Sequence, residues 1–230
     1  MNNLAYLYSV QGRYAEAEPL FLETLATEKR ALGEDHPDTL GTMSDLAALY
    51  IRQGRYDEAE PLLLEAFESQ RRVLGDDHPD TLGTMNILAD LYIDQGRYDE
   101  AEPFLLEALE IQTRVLGSDH PVTLSSTNLL GELYANTGRP EQAGSVLHEV
   151  LDRRLQVLGD HHPDVGETYY GLACWAAARA SNDEAFAYLR QAAELGWSRA
   201  SIFSDPSLDG LRGTREFESI VAEVRENLER

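Results

Sequence analysis

A block of 42 residues recurs along this chain in constant register. The triplet His-Pro-Asp begins at His36, His78 and His162, and the remaining copy reads His-Pro-Val from His120. Two glycines of each block keep the same spacing, at Gly12, Gly54, Gly96 and Gly138 and at Gly33, Gly75, Gly117 and Gly159. A repeat of this length is typical of a solenoid, in which each unit buries its apolar face by stacking on its neighbours. Such a chain presents a long surface, so the repeat favours a binding role.

The spacing of apolar residues predicts that each block folds as two helices. In the block 36–77 they recur at intervals of three and four residues, first at Leu40, Met43, Leu46, Ala47 and Tyr50. A second stripe runs from about Tyr56 to Leu74. Pro37 suits a first helical turn, and Gly54 suits the left-handed conformation that ends a helix. No segment shows the alternation of a strand, so the prediction is an all-α fold of antiparallel helix pairs.

These residues also carry a family resemblance. Small and large apolar side chains stand where the tetratricopeptide repeat places its signature residues, at Leu46, Ala47, Tyr50, Gly54, Tyr56, Ala59 and Ala66. With the words Gly-Arg-Tyr-Asp-Glu-Ala-Glu-Pro and His-Pro-Asp-Thr-Leu, the 42-residue period resembles the longer variant found in kinesin light chains and many bacterial proteins. The resemblance covers about residues 1–195 and implies a right-handed superhelical solenoid.

The period divides the array into five units, at about 1–35, 36–77, 78–119, 120–161 and 162–195. Residues 196–230 depart from it and are predicted to form C-terminal capping helices, because a terminal repeat needs a cover for its exposed face. Asp205 and Pro206 would open a short helix that Gly213 closes. Thr214 would cap a last helix whose apolar stripe comprises Phe217, Ile220, Val221, Val224 and Leu228.

The first unit begins part of the way along its first helix. Met1 aligns with Met43, about seven residues after the point where the landmark triplet would stand. Either the chain is a fragment of a longer array, which we favour, or its start was assigned downstream of the true one. We expect an exposed apolar edge at Leu4, Tyr6, Leu7 and Tyr8, through which the chain frays or self-associates.

Composition excludes several classes of function. The net charge of −22 over 230 residues repels nucleic acids and anionic membranes. No apolar run approaches the roughly 18–20 residues of a membrane span, and the N-terminus lacks the pattern of a signal peptide. The single cysteine, Cys174, fits a reducing compartment, so we expect a cytoplasmic protein.

Candidate catalytic and metal-binding residues lack suitable neighbours. The triplet histidines stand one repeat apart, and stacked helices lie roughly 8–10 Å from each other, too far to share one ion. We therefore interpret them as turn residues near helix starts. His161 and His162 follow Asp160, but adjacent residues rarely point at one ion. Cys174 stands among alanines and is interpreted as a packing residue, and Lys29 lacks the preceding glycine of a phosphate loop. The sequence predicts no enzyme, no cofactor and no metal.

Comparison of the repeats with one another predicts a binding surface. The units 36–77 and 78–119 differ at nine of 42 positions, and the four differences in the first helix fall where the tetratricopeptide arrangement places its concave face. Neutral drift is the alternative, but it would also alter the outer face of that helix. The predicted groove comprises Asn2, Tyr6, Ser44, Asp45, Arg52, Asn86, Asp90, Asp94, Asn128, Glu132, Asn136 and Tyr170.

The chemistry of these positions suggests an extended peptide. Asn2, Asn86 and Asn128 are one or more repeats apart, and a carboxamide both donates to and accepts from a peptide backbone. The carboxylates beside them favour basic or neutral partners, whereas kinesin light chains, which this pattern resembles, favour acidic cargo peptides. Two functions remain open: a non-catalytic scaffold for a peptide or partner domain, or the C-terminal sensory or docking arm of a larger bacterial enzyme such as a protein kinase.

Overall fold

The computed structural model describes residues 2–197, 200–203 and 205–229. These residues form eleven α-helices, two short 3₁₀ turns and no strand, which confirms the all-α prediction. The helices are α1 Asn2–Val10, α2 Tyr14–Ala31, α3 Pro37–Arg52, α4 Tyr56–Val73, α5 Pro79–Asp94, α6 Tyr98–Val115, α7 Pro121–Asn136, α8 Pro140–Leu158, α9 Pro163–Ala178, α10 Asn182–Glu194 and α11 Arg215–Glu229. The 3₁₀ turns are Ala200–Phe203 and Pro206–Leu208.

Consecutive helices pack in pairs, one pair for each repeat. The chain divides into two compact parts, residues 1–115 and 116–230, which we call the N-terminal body and the C-terminal body. In the N-terminal body α1 packs on α2, α3 on α4 and α5 on α6. In the C-terminal body the pairs are α7 with α8 and α9 with α10, and α11 packs on α10. The separation of an array from a cap near residue 195 stays a prediction.

The four helices that begin with the landmark triplet share one capping arrangement. His36 has an extended backbone, and its imidazole Nδ1 accepts a hydrogen bond of 3.2 Å from the backbone N–H of Asp38. His78, His120 and His162 accept the corresponding bond at 3.2–3.3 Å. A proline follows each histidine as the first helical residue, where a missing N–H leaves no bond unmade. The histidines are therefore N-caps, which defines more closely the turn role interpreted from the sequence.

Arginines in the loops join each helix pair of the N-terminal body to the preceding pair. The Arg55 guanidinium donates to Glu58 on its own helix at 2.7 Å and to Glu18 on α2 at 2.8 Å. It also lies 4.1 Å from the centre of the Tyr50 ring. Arg97 makes the same set of contacts one repeat further along. The sequence word Gly-Arg-Tyr thus encodes a contact between repeats as well as a turn.

A single apolar core connects α9, α10 and α11 in the C-terminal body. Phe217, Ile220, Val221 and Val224 of α11 are buried in it, as the predicted stripe required, and the side chain of Leu228 lies outside the described residues. Thr214 caps α11 by accepting a 3.2 Å bond from the N–H of Phe217. No helix within the described ranges is long and apolar enough to cross a membrane.

Candidate functional site

The predicted groove residues all lie on the first helix of a repeat. Those on α1, α3 and α5 belong to the N-terminal body and are Asn2, Tyr6, Ser44, Asp45, Arg52, Asn86, Asp90 and Asp94. Those on α7 and α9 belong to the C-terminal body and are Asn128, Glu132, Asn136 and Tyr170. The two sets have different surroundings.

A concave pocket of about 500 Å³ lies in the N-terminal body, among α1, α3 and α5. Three predicted groove residues line it: Asn2, Ser44 and Asp45. Residues that the repeat comparison missed complete it, from the first turns of α3 and α5 and from the ends of α2 and α4. These are chiefly Glu28, Asp38, Thr42, Gln70, Asp80 and Thr84. We call this cavity the acidic pocket, because its lining carries four carboxylates and no basic side chain.

The surroundings of Asp45 disfavour the charged form of its carboxyl group. Its Oδ2 accepts a 2.8 Å hydrogen bond from the Nδ2 of Asn2. Burial raises the pKa of Asp45, and the nearby carboxylates of Asp80 and Glu28 raise it further. The bond from Asn2 and the positive charge of Arg52 act in the opposite direction. Ionisation of Asp45 is thus energetically unfavourable in this environment, and a positively charged ligand would make it less so.

Several polar atoms of the acidic pocket are buried without a hydrogen-bond partner among the described residues. The Gln70 side chain is only 1% exposed, and its Oε1 accepts no bond. The hydroxyl of fully buried Thr42, the Oε2 of Glu28 and the Oδ1 of Asn2 are in the same condition. Buried polar atoms in folded proteins are nearly always bonded. Three of these four atoms can only accept, so a ligand that donates hydrogen bonds would satisfy them. By contrast, Ser44 and Thr84 bond each other through their hydroxyls at 2.9 Å.

The other predicted residues of the N-terminal body lie beyond the pocket. Tyr6 is exposed, and Arg52 donates to the hydroxyl of Ser9 at 3.0 Å. Asn86 and Asp90 are half-buried, and Asp94 is exposed.

The expected apolar edge also lies on α1. Leu4 and Leu7 are 45% and 47% exposed, and Tyr8 is half-buried. The self-association that we expect from this edge stays a prediction.

In the C-terminal body, the polar groove residues bond mainly to one another. Asn128 is 2% exposed and donates from Nδ2 to the Glu132 carboxylate at 2.7 Å. Asn136 donates from Nδ2 to the backbone oxygen of Glu132 at 3.0 Å. The Asn128 amide nitrogen is therefore engaged within α7, although its Oδ1 is buried with no partner in the described ranges.

The chain itself covers the inner position on α9. Tyr170 is 4% exposed, and its ring stacks on that of Trp197 with 4.0 Å between centres. Its hydroxyl donates to the Asp205 carboxylate at 2.7 Å. Cys174, on the same helix, lies 3.5 Å from that carboxylate, and burial raises the pKa of its thiol. A C-terminal segment thus occupies this face, and a thiol held in its neutral form there is a poor nucleophile.

Helix α8 contains a buried arginine, Arg154, that was not predicted from the sequence. Arg154 is 1% exposed, and burial lowers the pKa of its guanidinium. It donates to the backbone oxygen of Asp164 at 2.5 Å and to the hydroxyls of Thr168 and Ser125 at 2.8 and 3.1 Å. The available signal was positional, since amides stand at the same register in two earlier repeats, at Gln70 and Gln112.

Metal binding finds no geometric support in the described ranges. Within them no three histidine, cysteine, aspartate or glutamate residues are grouped so that they could hold an ion.

Comparison with known proteins agrees with the repeat register. A family model described as tetratricopeptide repeat matches residues 1–71, 38–97, 80–145 and 123–195. Among solved structures, a Podosopora anserina protein assigned as a kinesin light chain with nearly identical TPR-like repeats is 29% identical, with a TM-score of 0.65. That match covers 84% of this chain and 92% of the other. BtubC (BKLC) from P. vanneervenii is 27% identical with a TM-score of 0.66, covering 84% and 76%.

One curated relative matches over a short segment. It is a nucleotide-binding leucine-rich repeat (NLR)-like protein of Hyaloscypha variabilis, 45% identical over 44 residues. The segment is 19% of this chain and only 4% of the relative. The family model spans most of this chain, and the solved structures share its kinesin-light-chain-like repeats. The chain belongs to the tetratricopeptide repeat family.

Proposed function

We propose that this chain is a non-catalytic interaction module that binds an extended peptide along α1, α3 and α5. The observation that supports this most strongly is the acidic pocket, in which several buried acceptor atoms have no partner among the residues that the structure describes. Proteins of the tetratricopeptide repeat family generally mediate protein binding, which makes a protein partner the natural class. A peptide backbone and its side chains can supply the donors that the lining lacks.

The rest of the inner surface fits the same ligand. Asn86 is half-buried at the register of Asn2, so that a carboxamide could hold the backbone at a second point. Asp90 and Asp94 add negative charge, which favours basic or neutral peptides. In the C-terminal body, the corresponding positions bond to one another or to the chain's own segment. Because the acidic pocket lies in the N-terminal body, we propose the main binding surface there.

A peptide-array screen with the full chain, followed by titration of its best binder, tests this proposal. Asn86→Ala and the double change Asp90→Ala/Asp94→Ala should each weaken binding about 2- to 13-fold, as for the loss of one hydrogen bond worth roughly 0.5–1.5 kcal/mol. The matched control is Asp57→Ala, which removes an exposed carboxylate from the first turn of α4. Unchanged affinity in the α5 variants together with a loss in the α4 control would refute the assignment.

A docking arm of a larger protein is the second candidate. The observation that favours it is the NLR-like relative, in which the matched segment makes up only 4% of the chain. In this version the same surface recruits a substrate or regulator for an activity carried elsewhere, such as that of a bacterial protein kinase. Antibodies raised against residues 36–119 would report the mass of the native protein. A band near 25.7 kDa would contradict a larger protein, and a much heavier one would support it.

A further inference from the structure

We infer that the acidic pocket receives the guanidinium group of an arginine side chain from a partner peptide. The inference rests on the proposed function and specifies the partner's chemistry at one position. It joins three observations: the unpaired acceptors of the pocket, its charge, and a guanidinium at the equivalent register of the C-terminal body.

The unpaired atoms call for a ligand that only donates. Gln70 Oε1, Glu28 Oε2 and Asn2 Oδ1 are acceptors, and all three are buried without a partner in the described chain. A guanidinium has five N–H donors in a planar fork and no acceptor. It can therefore bond to several of these oxygens at once, whereas the compact ammonium of lysine offers three donors from one point.

The charge of the lining favours a cation. Four carboxylates face the cavity, and its lining includes no basic side chain. Asp45 on α3 faces Asn2 of α1, Glu28 of α2 and Asp80 of α5, with Arg52 nearby on its own helix. Burial and the two like charges disfavour its ionised form. A bound guanidinium would offset this repulsion, and a neutral side chain would not.

The C-terminal body already holds a guanidinium at this register. Position 154 lies two repeats beyond Gln70, and there the chain supplies its own arginine. Arg154 donates to Ser125, Asp164 and Thr168. The residues two repeats before these three acceptors are Gly41, Asp80 and Thr84, and all of them line the acidic pocket. The N-terminal body thus keeps the residue types of two of these three positions, Asp80 and Thr84, with glycine at the third and a shorter, neutral side chain in place of Arg154.

The test compares two peptides that differ in charge but hardly in shape. The full chain is titrated with a blocked, fluorescently labelled peptide Ala-Ser-Arg-Ser-Ala and with the same peptide carrying citrulline in place of arginine. We expect the citrulline peptide to bind at least about 10-fold more weakly, because it lacks the charge-assisted hydrogen bonds. We also expect the arginine peptide to weaken as salt rises. Equal affinity for the two peptides would overturn the inference.

Two variants connect the binding to the pocket. Gln70→Arg copies Arg154 into the N-terminal body and should abolish binding by placing the chain's own guanidinium beside the acceptors of the pocket. Asp45→Asn keeps the volume of the side chain and should weaken binding about 10-fold by removing a charge. Circular dichroism verifies that Gln70→Arg is folded, and Asp45→Asn provides the test if it is not. Asp57→Asn, at an exposed carboxylate of α4, is the control and should bind as the unchanged chain does.

The guanidinium site can be refuted without refuting the proposed peptide-binding function. If Asn86→Ala weakens the best array peptide while Gln70→Arg and Asp45→Asn leave arginine binding unchanged, the peptide surface stands and the guanidinium site is wrong. If free L-arginine binds as tightly as the peptide, the partner is a small molecule, which overturns the peptide part of the inference.

Discussion

The N-terminal and C-terminal bodies share one repeat register but differ in whether their inner polar positions are occupied by the chain itself. In the N-terminal body, Gln70 leaves an acceptor unpaired beside an open pocket. In the C-terminal body, Arg154 fills the equivalent position, and Tyr170 is covered through its bond to Asp205. On the function proposed above, one repeat scaffold serves binding in one part and stability in another, depending on a few side chains at fixed register positions.

Packing between the helices differs in the same way. At one register position the N-terminal body has Glu60, which pairs with Arg97 at 2.7 Å. The C-terminal body has Gly144 there, and the ring of Trp175 fills the space above it. The Trp175 indole N–H donates to the backbone oxygen of Pro140 at 2.6 Å. The half-buried ion pair of one repeat is replaced by a buried aromatic contact in the other.

The largest effect that we expect from this comparison comes from Arg154→Ala. The change removes three hydrogen bonds of the C-terminal body and opens a cavity, so it should lower the free energy of unfolding by about 2–4 kcal/mol. The matched change Gln70→Ala should cost less, because the Oε1 of Gln70 has no partner to lose. Urea denaturation followed by circular dichroism measures both. An equal loss of unfolding free energy in the two variants would contradict the difference that we describe between Arg154 and Gln70.

A smaller effect should come from two glycines with different surroundings. A Cβ at Gly144 would lie 2.6 Å from the Trp175 ring, so Gly144→Ala must displace the indole and should destabilise the chain by about 1–3 kcal/mol. Gly83 in α5 has no atom within 4 Å of such a Cβ, and Gly83→Ala should stabilise it by about 0.5–1 kcal/mol. The same urea titration checks the two opposite signs. A loss of stability in both variants would show that the space around the added Cβ does not determine the sign of the effect.

Sequence periodicity was sufficient to predict the helices, because both their buried stripes and their ends recur with the repeat. The acidic pocket was predicted only in part, through Asn2, Ser44 and Asp45. Gln70 was missed because the comparison searched for differences between repeats, and the next repeat has an identical residue, Gln112. A residue that is identical in successive repeats is interpreted as structural, although its neighbours decide whether it lines a cavity.

Contacts that do not follow the repeat could not be predicted in this way. Tyr170 has the register of a groove residue, but its surroundings are set by Asp205, which lies outside the periodic part of the chain. Arginine is usually an exposed residue type. The burial of Arg154 depends on acceptors contributed by two other helices, at Ser125 and Thr168. Both cases require the folded arrangement of distant segments.

The smallest expected effect concerns the pH dependence of stability at Asp45. Its folded pKa is raised, chiefly by burial, so the stability linked to its neutral form is present below the unfolded pKa of about 3.9 and is lost as pH rises through the folded value. At pH 7 Asp45→Asn should therefore unfold at a slightly higher temperature than the unchanged chain, and the difference should vanish in acid.

Glu58→Gln is the control of opposite sign, because a hydrogen bond from Arg55 lowers the pKa of Glu58 and stabilises its ionised form. This variant should unfold at a slightly lower temperature at pH 7, and that difference should also vanish in acid. Thermal unfolding midpoints measured from pH 7 down to about pH 2, below the ordinary range of both carboxyls, test both directions. A lower midpoint for Asp45→Asn at pH 7 would show that the ionised Asp45 carboxylate stabilises the free chain without a bound cation.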